Sequence, residues 1–243
     1  MEAISGLIAS FLDVITRVFI TSDRYLLWLT GFRNTLIITS LALVLGQVIG
    51  FFVTIIRVIH DDMKTPLKKP NMILRILNRI VKLYVTVIRG IPMMVQLMIM
   101  NFIILAATRN ALLVGIIAFG INSGSYVSEV FRGGVLSVDK GQMEAGRSLG
   151  LSYRQTMLKI ITPQAIKNCL PAMGNEFITL LKETSISGII AVIDITRAGA
   201  VIRGVTYDPM PLIFVAAFYL IMVLFLEFLV RRMERRLRRS DQR

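Results

Sequence analysis

An apolar stretch from Ala165 to about Ile193 carries Glu176, Lys182 and Glu183, three charges of a kind that hydrocarbon excludes. Asn168, Asn175, Thr179 and Lys182 recur there at helical spacing and fall about one face, while Glu176 and Glu183 stand seven apart. Asn122, Tyr126 and Glu129 form a similar stripe in the preceding apolar stretch. These residue types bind rather than react. Lys182 can meet a carboxylate, and Glu129 or Glu183 an ammonium group. In the alternative reading, Lys182 with Glu183 and Glu129 with Arg132 are structural pairs or gate contacts. Nothing in the sequence resembles a nucleophile with a nearby base. One cysteine, Cys169, and one histidine, His60, exclude an internal disulfide and a Cys/His metal cluster. No Gly-Lys dipeptide occurs, so a phosphate-binding loop of the G-x-x-x-x-G-K type is absent and the chain does not itself bind ATP in that way.

The elements that must position these stripes are apolar spans. The 243 residues are 55% hydrophobic and 18% charged, with a mean hydropathy of +0.69, a composition that points to an integral membrane protein. Uncharged runs locate the spans, because a central charge costs roughly 2.5 to 3.5 kcal/mol on insertion. Four runs are long enough: Asn34 to Ile56, Gly90 to Thr108, Asn110 to Ser128 and Pro209 to Leu226. The stretch from Ala165 is the fifth. Its six large apolar residues between Ala165 and Ser185 favour insertion by roughly 3 kcal/mol, against on the order of 8 for its three charges, so it cannot face lipid all round.

Five spans put the termini on opposite sides. Seven basic residues lie in Arg57 to Lys82, six in Arg132 to Lys167 and seven in Arg231 to Arg243, all on one side, against six on the other. The positive-inside rule then places the N-terminus outside and the tail in the cytoplasm. The net charge of +13 reads as contact with anionic lipid rather than with nucleic acid. Residues 1–25 are expected to form an amphipathic segment on the outer surface, residues 26–232 the membrane domain, and residues 233–243 a basic tail. A cleaved signal peptide is not expected, since a basic n-region is missing. The absence of internal repeats argues against an ion-coupled transporter of two related halves, and the polar stripes argue against a mere membrane scaffold.

The cytoplasmic loop 137–163 is heavily punctuated. Asp139 can cap a short helix, Gly150 can end it in the left-handed region, Ser152 with Gln155 forms a capping box for a second helix, and Pro163 is expected to kink or end that one. Met143, Gly146 and Gly150 share one face of the first helix, where small residues would let another surface approach. Gly46-x-x-x-Gly50 and Gly120-x-x-x-Gly124 suit close packing of spans.

At this loop the sequence resembles the permease subunits of bacterial ATP-binding-cassette importers. Their loop signature runs Glu-Ala-Ala, three residues, Gly, nine residues, Ile, one residue, Leu-Pro. Glu144, Ala145, Gly150, Ile160 and Pro163 match in register, while Gly146 stands for the second alanine and Thr162 for the leucine. The resemblance narrows to the polar amino-acid group through GFRNTL at Gly31 to Leu36, RGIPMMVQL at Arg89 to Leu97, YVSEVFRGGV at Tyr126 to Val135, GQMEAG at Gly141 to Gly146 and LPAMGNEFITLLKETS at Leu170 to Ser185. It implies an all-α, five-helix permease of the type I importer fold in the bacterial inner membrane, paired with a second permease copy in a homodimer or a heterodimer. It also implies an external amino-acid-binding protein, and ATPase subunits that hold ATP and Mg and receive the Glu144 helix in a groove. The stripe residues Asn122, Tyr126, Glu129, Asn175, Thr179, Lys182 and Glu183 would then suit a zwitterionic amino acid.

Overall fold

The computed structural model describes residues 2–63 and 70–241; part of the basic segment Arg57 to Lys82 and the end of the tail lie outside the described residues. Among the described residues the chain is helical, without a strand. Helix α1 (Glu2–Ile15) passes through a π-helical turn, Thr16–Ile20, into a tight corner where Ser22 and Asp23 both adopt positive φ (56° and 54°). Helix α2 (Arg24–Asp62) follows, 39 residues long. The corner is not a loose surface feature. Val18 is fully buried beside Trp28, whose indole Nε1 donates to the Val18 carbonyl at 3.2 Å, and Phe19 stacks on the same ring.

Helix α3 (Met72–Gly90) starts at Asn71, whose side chain accepts from the Leu74 amide at 2.9 Å. Beyond Ile91 and Pro92, α4 (Met93–Ile99) runs on through a π-helical turn to Ile104, at 109° to α3. This corrects the expected span Gly90 to Thr108. Its helical part, residues 93–104, is about 18 Å long, too short to cross alone. An uncharged-run criterion overlooks α3 because that helix carries a cation on nearly every turn. Pro92, which has no amide hydrogen to donate, sits at the break.

Helix α5 (Ala111–Leu136), capped by Asn110, extends past the expected end at Ser128. Short α6 (Lys140–Ser148) and α7 (Tyr153–Thr156) follow, then a π-helical turn at Met157–Ile161 and α8 (Thr162–Glu183). Pro163 does not end this run, as the sequence allowed. It sits in the first turn of α8, directly after the π turn, where a proline's missing amide hydrogen costs the helix little. A 3-10 stretch, Thr184–Ile190, leads into α9 (Ile195–Thr206), 49° off the preceding run. Helix α10 (Met210–Asp241) includes the basic stretch within its own last turns.

Among the described residues, three stretches are long and apolar enough to cross a membrane, Leu12–Asp62, Ala111–Leu136 and Met210–Leu237, and the two bent pairs raise the number to five if each is one span. The most extensive pairing joins α2 to α5, where the two Gly-x-x-x-Gly sequences face each other. A β-carbon on Gly50 would come 2.7 Å from a Val127 methyl, and one on Gly124 would come 2.8 Å from an Ile49 methyl. Helices in lipid gain little from apolar burial against each other, so this backbone approach supplies the van der Waals contact instead. The Thr54 hydroxyl, donating to the Gly50 and Ser128 carbonyls at 2.8 and 2.9 Å, closes the same seam. Ile38, Ala42, Val114, Ala118, Phe119 and Leu180 form the main core beneath it.

Candidate functional site

Asn122, Tyr126 and Glu129 occupy one side of α5, and each reaches a different helix. Asn122 is buried, and its amide donates to Gln96 Oε1 at 3.3 Å. The Gln96 amide in turn donates to the Ile88 and Ile91 carbonyls, both at 2.7 Å. Those carbonyls lie at the C-terminal end of α3, where the helix leaves acceptors unsatisfied, so Gln96 and Asn122 lock the α3 to α4 corner. One turn on, the Arg89 guanidinium sits over the Tyr126 ring, 5.0 Å from its centre. Glu129 then uses both oxygens: Oε1 meets Arg57 Nη1 of α2 at 2.5 Å, and Oε2 meets Arg132 at 3.0 and 3.1 Å. Within the chain Glu129 thus pairs with Arg57 as well as with Arg132.

The stripe on α8 is different. Asn175, Thr179 and Lys182 are exposed, and no hydrogen bond or ion pair among the described residues joins them to the α5 set. Glu176, on the inner side, accepts from the Ser123 hydroxyl at 2.9 Å and ties α8 to α5. Glu183 is half-buried at the end of the helix. The seven candidate residues therefore divide into a satisfied internal network on α5 and an open polar face on α8. Sequence reasoning missed Arg57, Gln96 and Arg89 as parts of the network. Arg57 and Arg89 served only as charge boundaries of runs, and Gln96 was a lone amide inside one.

The loop 137–163 forms its joints where the sequence puts them. Asp139 Oδ1 accepts from the Gly141 amide at 2.6 Å, Gly150 has φ +83°, and both halves of the Ser152 to Gln155 capping box are present. The Leu151 amide returns to the Gly146 carbonyl at 3.1 Å, closing the end of α6.

The face of α6 differs from expectation at Gly146. Gly146 is buried against its own chain, where a β-carbon would stand 2.6 Å from the Thr156 methyl and 3.1 Å from Ile160 Cδ1. It is not available to an approaching surface, because α6 folds back onto the run that begins at Tyr153. Met143 and Ile160 join it inside, packed on Val138, Ile161 and Ala165. The outward face holds Glu144, Ala145, Ser148 and Leu149, the last 82% exposed. Gly150 has open space around it, so its requirement is conformational alone. Pro163 lies further along, at the start of α8. Tyr153, at the start of α7, comes close to the Asp62 carboxylate at the end of α2, which brings the loop beside a second span.

No group of three or more His, Cys, Asp or Glu among the described residues is placed to hold a metal ion. What the arrangement offers is an open polar face on a membrane helix and an exposed face of mixed polarity on a capped loop helix.

Residues 65–239 match the family described as binding-protein-dependent transport system inner membrane component. The glutamine transport system permease protein GlnP of Escherichia coli (strain K12) is 35% identical over 217 residues, covering 87% of this chain and 94% of that protein. The probable glutamine ABC transporter permease protein GlnM of Bacillus subtilis (strain 168) is 34% identical over 230 residues, 92% and 99% of the two chains. Among solved structures, a chain from an amino acid ABC transporter with histidines superposes with a TM-score of 0.77 at 38% identity, covering 86% of this chain and 94% of that one. With the helical architecture and the loop signature they match, these similarities mean that the chain belongs to the inner-membrane components of binding-protein-dependent transport systems, as an ABC importer permease.

Proposed function

We propose that this permease passes a polar amino acid across the inner membrane, driven by separate ATPase subunits that dock on α6. The observation that carries the docking role is the construction of α6. It is capped at Asp139, ended at Gly150 and held from inside through Gly146, Thr156 and Ile160, while Glu144, Ala145 and Leu149 stay outward. Force applied to that outward face passes through the Val138, Ile161 and Ala165 cluster into α5 and α8 together. Those two helices carry the polar stripes, so movement of the ATPase becomes movement of the pathway walls.

The cargo rests on the open face of α8. Asn175, Thr179 and Lys182 cannot be turned to hydrocarbon, and a second permease copy would enclose them with water between the two. Lys182 suits a carboxylate and Glu183 an ammonium group, and the relatives named for glutamine transport support an amino acid as the cargo. An external binding protein delivers it, and ATP with Mg stays on the ATPase. The termini lie on opposite sides, the N-terminus outside and the basic end of α10 in the cytoplasm.

Co-purification of the permease with ATPase chains, followed by a screen of amino acids for stimulated ATP hydrolysis, tests this reading. Stimulation by one or a few polar amino acids together with their binding protein is expected. Hydrolysis indifferent to every amino acid would overturn the cargo. Tags at the two ends labelled from the same side of the membrane would overturn the topology.

A further inference from the structure

Helix α3 presents three faces. Leu74, Asn78, Val81, Val85 and Ile88 turn toward the rest of the protein. Ile73, Ile80 and Leu83, 57% to 69% exposed, form an apolar face. Between these lies a basic line, Arg75, Arg79, Lys82 and Arg89, at spacings i, i+4, i+7 and i+14 with Thr86 in the vacant place, and all five residues are exposed. That spacing keeps the line on one side over about 21 Å, most of the length of the helix. Apart from the contact of Arg89 with Tyr126, no ion pair or hydrogen bond joins these cations to another described residue. The nearest candidate counter-charge on the packed neighbour α5, Glu129, has both oxygens taken by Arg57 and Arg132.

If α3 and α4 make one bent span, α3 cannot turn four cations into hydrocarbon, so its apolar face takes the lipid and its basic face meets water. Its upper end joins the Arg89, Tyr126, Asn122 and Gln96 network at the α3 to α4 corner. We propose that the basic face of α3 lines the water-filled route through the assembled transporter and holds the carboxylate of the amino acid as it passes from Arg89 toward Arg75. This deepens the transport reading above and rests on it. Such a line concentrates anions and repels cations. It therefore suits amino acids with neutral or acidic side chains and disfavours dibasic ones.

Single cysteines at Arg79, Lys82 and Thr86, and at Ile80 and Leu83 on the apolar face, test the assignment in the full transporter, in membrane vesicles. The native Cys169 is buried and can stay. The probes are an anionic sulfonate and a cationic trimethylammonium methanethiosulfonate. The three basic-face positions should react, with the anion about 10-fold faster than the cation, while Ile80→Cys and Leu83→Cys react at least about 10-fold more slowly. Thr86→Cys removes no charge, so it stays informative where an arginine variant folds poorly. Lys82→Gln should lower ATP-driven uptake several-fold, and Lys82→Arg should restore it. Basic-face cysteines as unreactive as the apolar ones, or equally fast with both probes, would overturn the proposal. Loss of uptake by the unsubstituted chain would instead overturn the transport reading, and the labelling pattern does not depend on it.

Discussion

Gly146 lies so close to Thr156 that a β-carbon placed on it would stand 2.6 Å from the threonine methyl, and this contact fixes which way the loop helix faces. Ala145, one residue earlier, points outward. The two neighbours should therefore respond to enlargement in opposite ways. Gly146→Val overpacks the inner side, costing about 1 to 3 kcal/mol, and should lower the melting temperature of the purified permease. Ala145→Lys should leave that temperature unchanged and reduce the yield of the complex with the ATPase. Thermal unfolding in detergent beside co-purification separates the two effects.

Gly150 is strained for any other residue by its φ of +83°, although nothing crowds it. Gly150→Val should insert normally, loosen the end of α6 at a cost of about 1 kcal/mol or more, and weaken ATPase docking. Gly150→Asn, which tolerates the left-handed region better, should be milder. Wild-type complex yield and coupled transport in the valine variant would show that α6 is an ordinary surface helix.

The Arg57 to Glu129 contact pins α2 to α5 with little exposure of the arginine side chain, 12%. Glu129→Gln leaves that guanidinium without its charge partner and should cost about 2 kcal/mol, read as a lower melting temperature. Replacing both residues, Arg57→Met with Glu129→Leu, should recover much of the loss. A single variant as stable as the wild type would mean that the pair contributes nothing to the seam.

Lys182→Met and Glu183→Gln should alter transport without changing insertion or assembly, since both lie in the last turn of α8, Lys182 exposed and Glu183 half-buried. Uptake in proteoliposomes, normalised to the amount of assembled complex, is the measurement. Wild-type uptake by both variants would remove these residues from the pathway.

What the sequence made legible was local. Asp139, Gly150, Ser152 and Gln155 announce their caps because each acts within three residues of itself, and the paired glycines of α2 and α5 announce a close seam. Helix α3 was hidden because cations at Arg75, Arg79 and Lys82 interrupt every apolar run, although their spacing is helical. The partner of Glu129 on α2 lies 72 positions away, so its pairing with Arg57 is visible only in the fold. The direction of Gly146 depended on Thr156 returning over it, which no helical wheel of α6 contains.

ATP hydrolysis by the permease and its ATPase in proteoliposomes, with and without binding protein loaded with amino acid, tests the coupling role of α6 most directly. Hydrolysis should rise several-fold with the loaded binding protein when α6 is intact. Ala145→Lys should abolish that rise while leaving the melting temperature of the permease alone unchanged. An undiminished rise in the Ala145→Lys transporter would contradict docking through the outward face of α6.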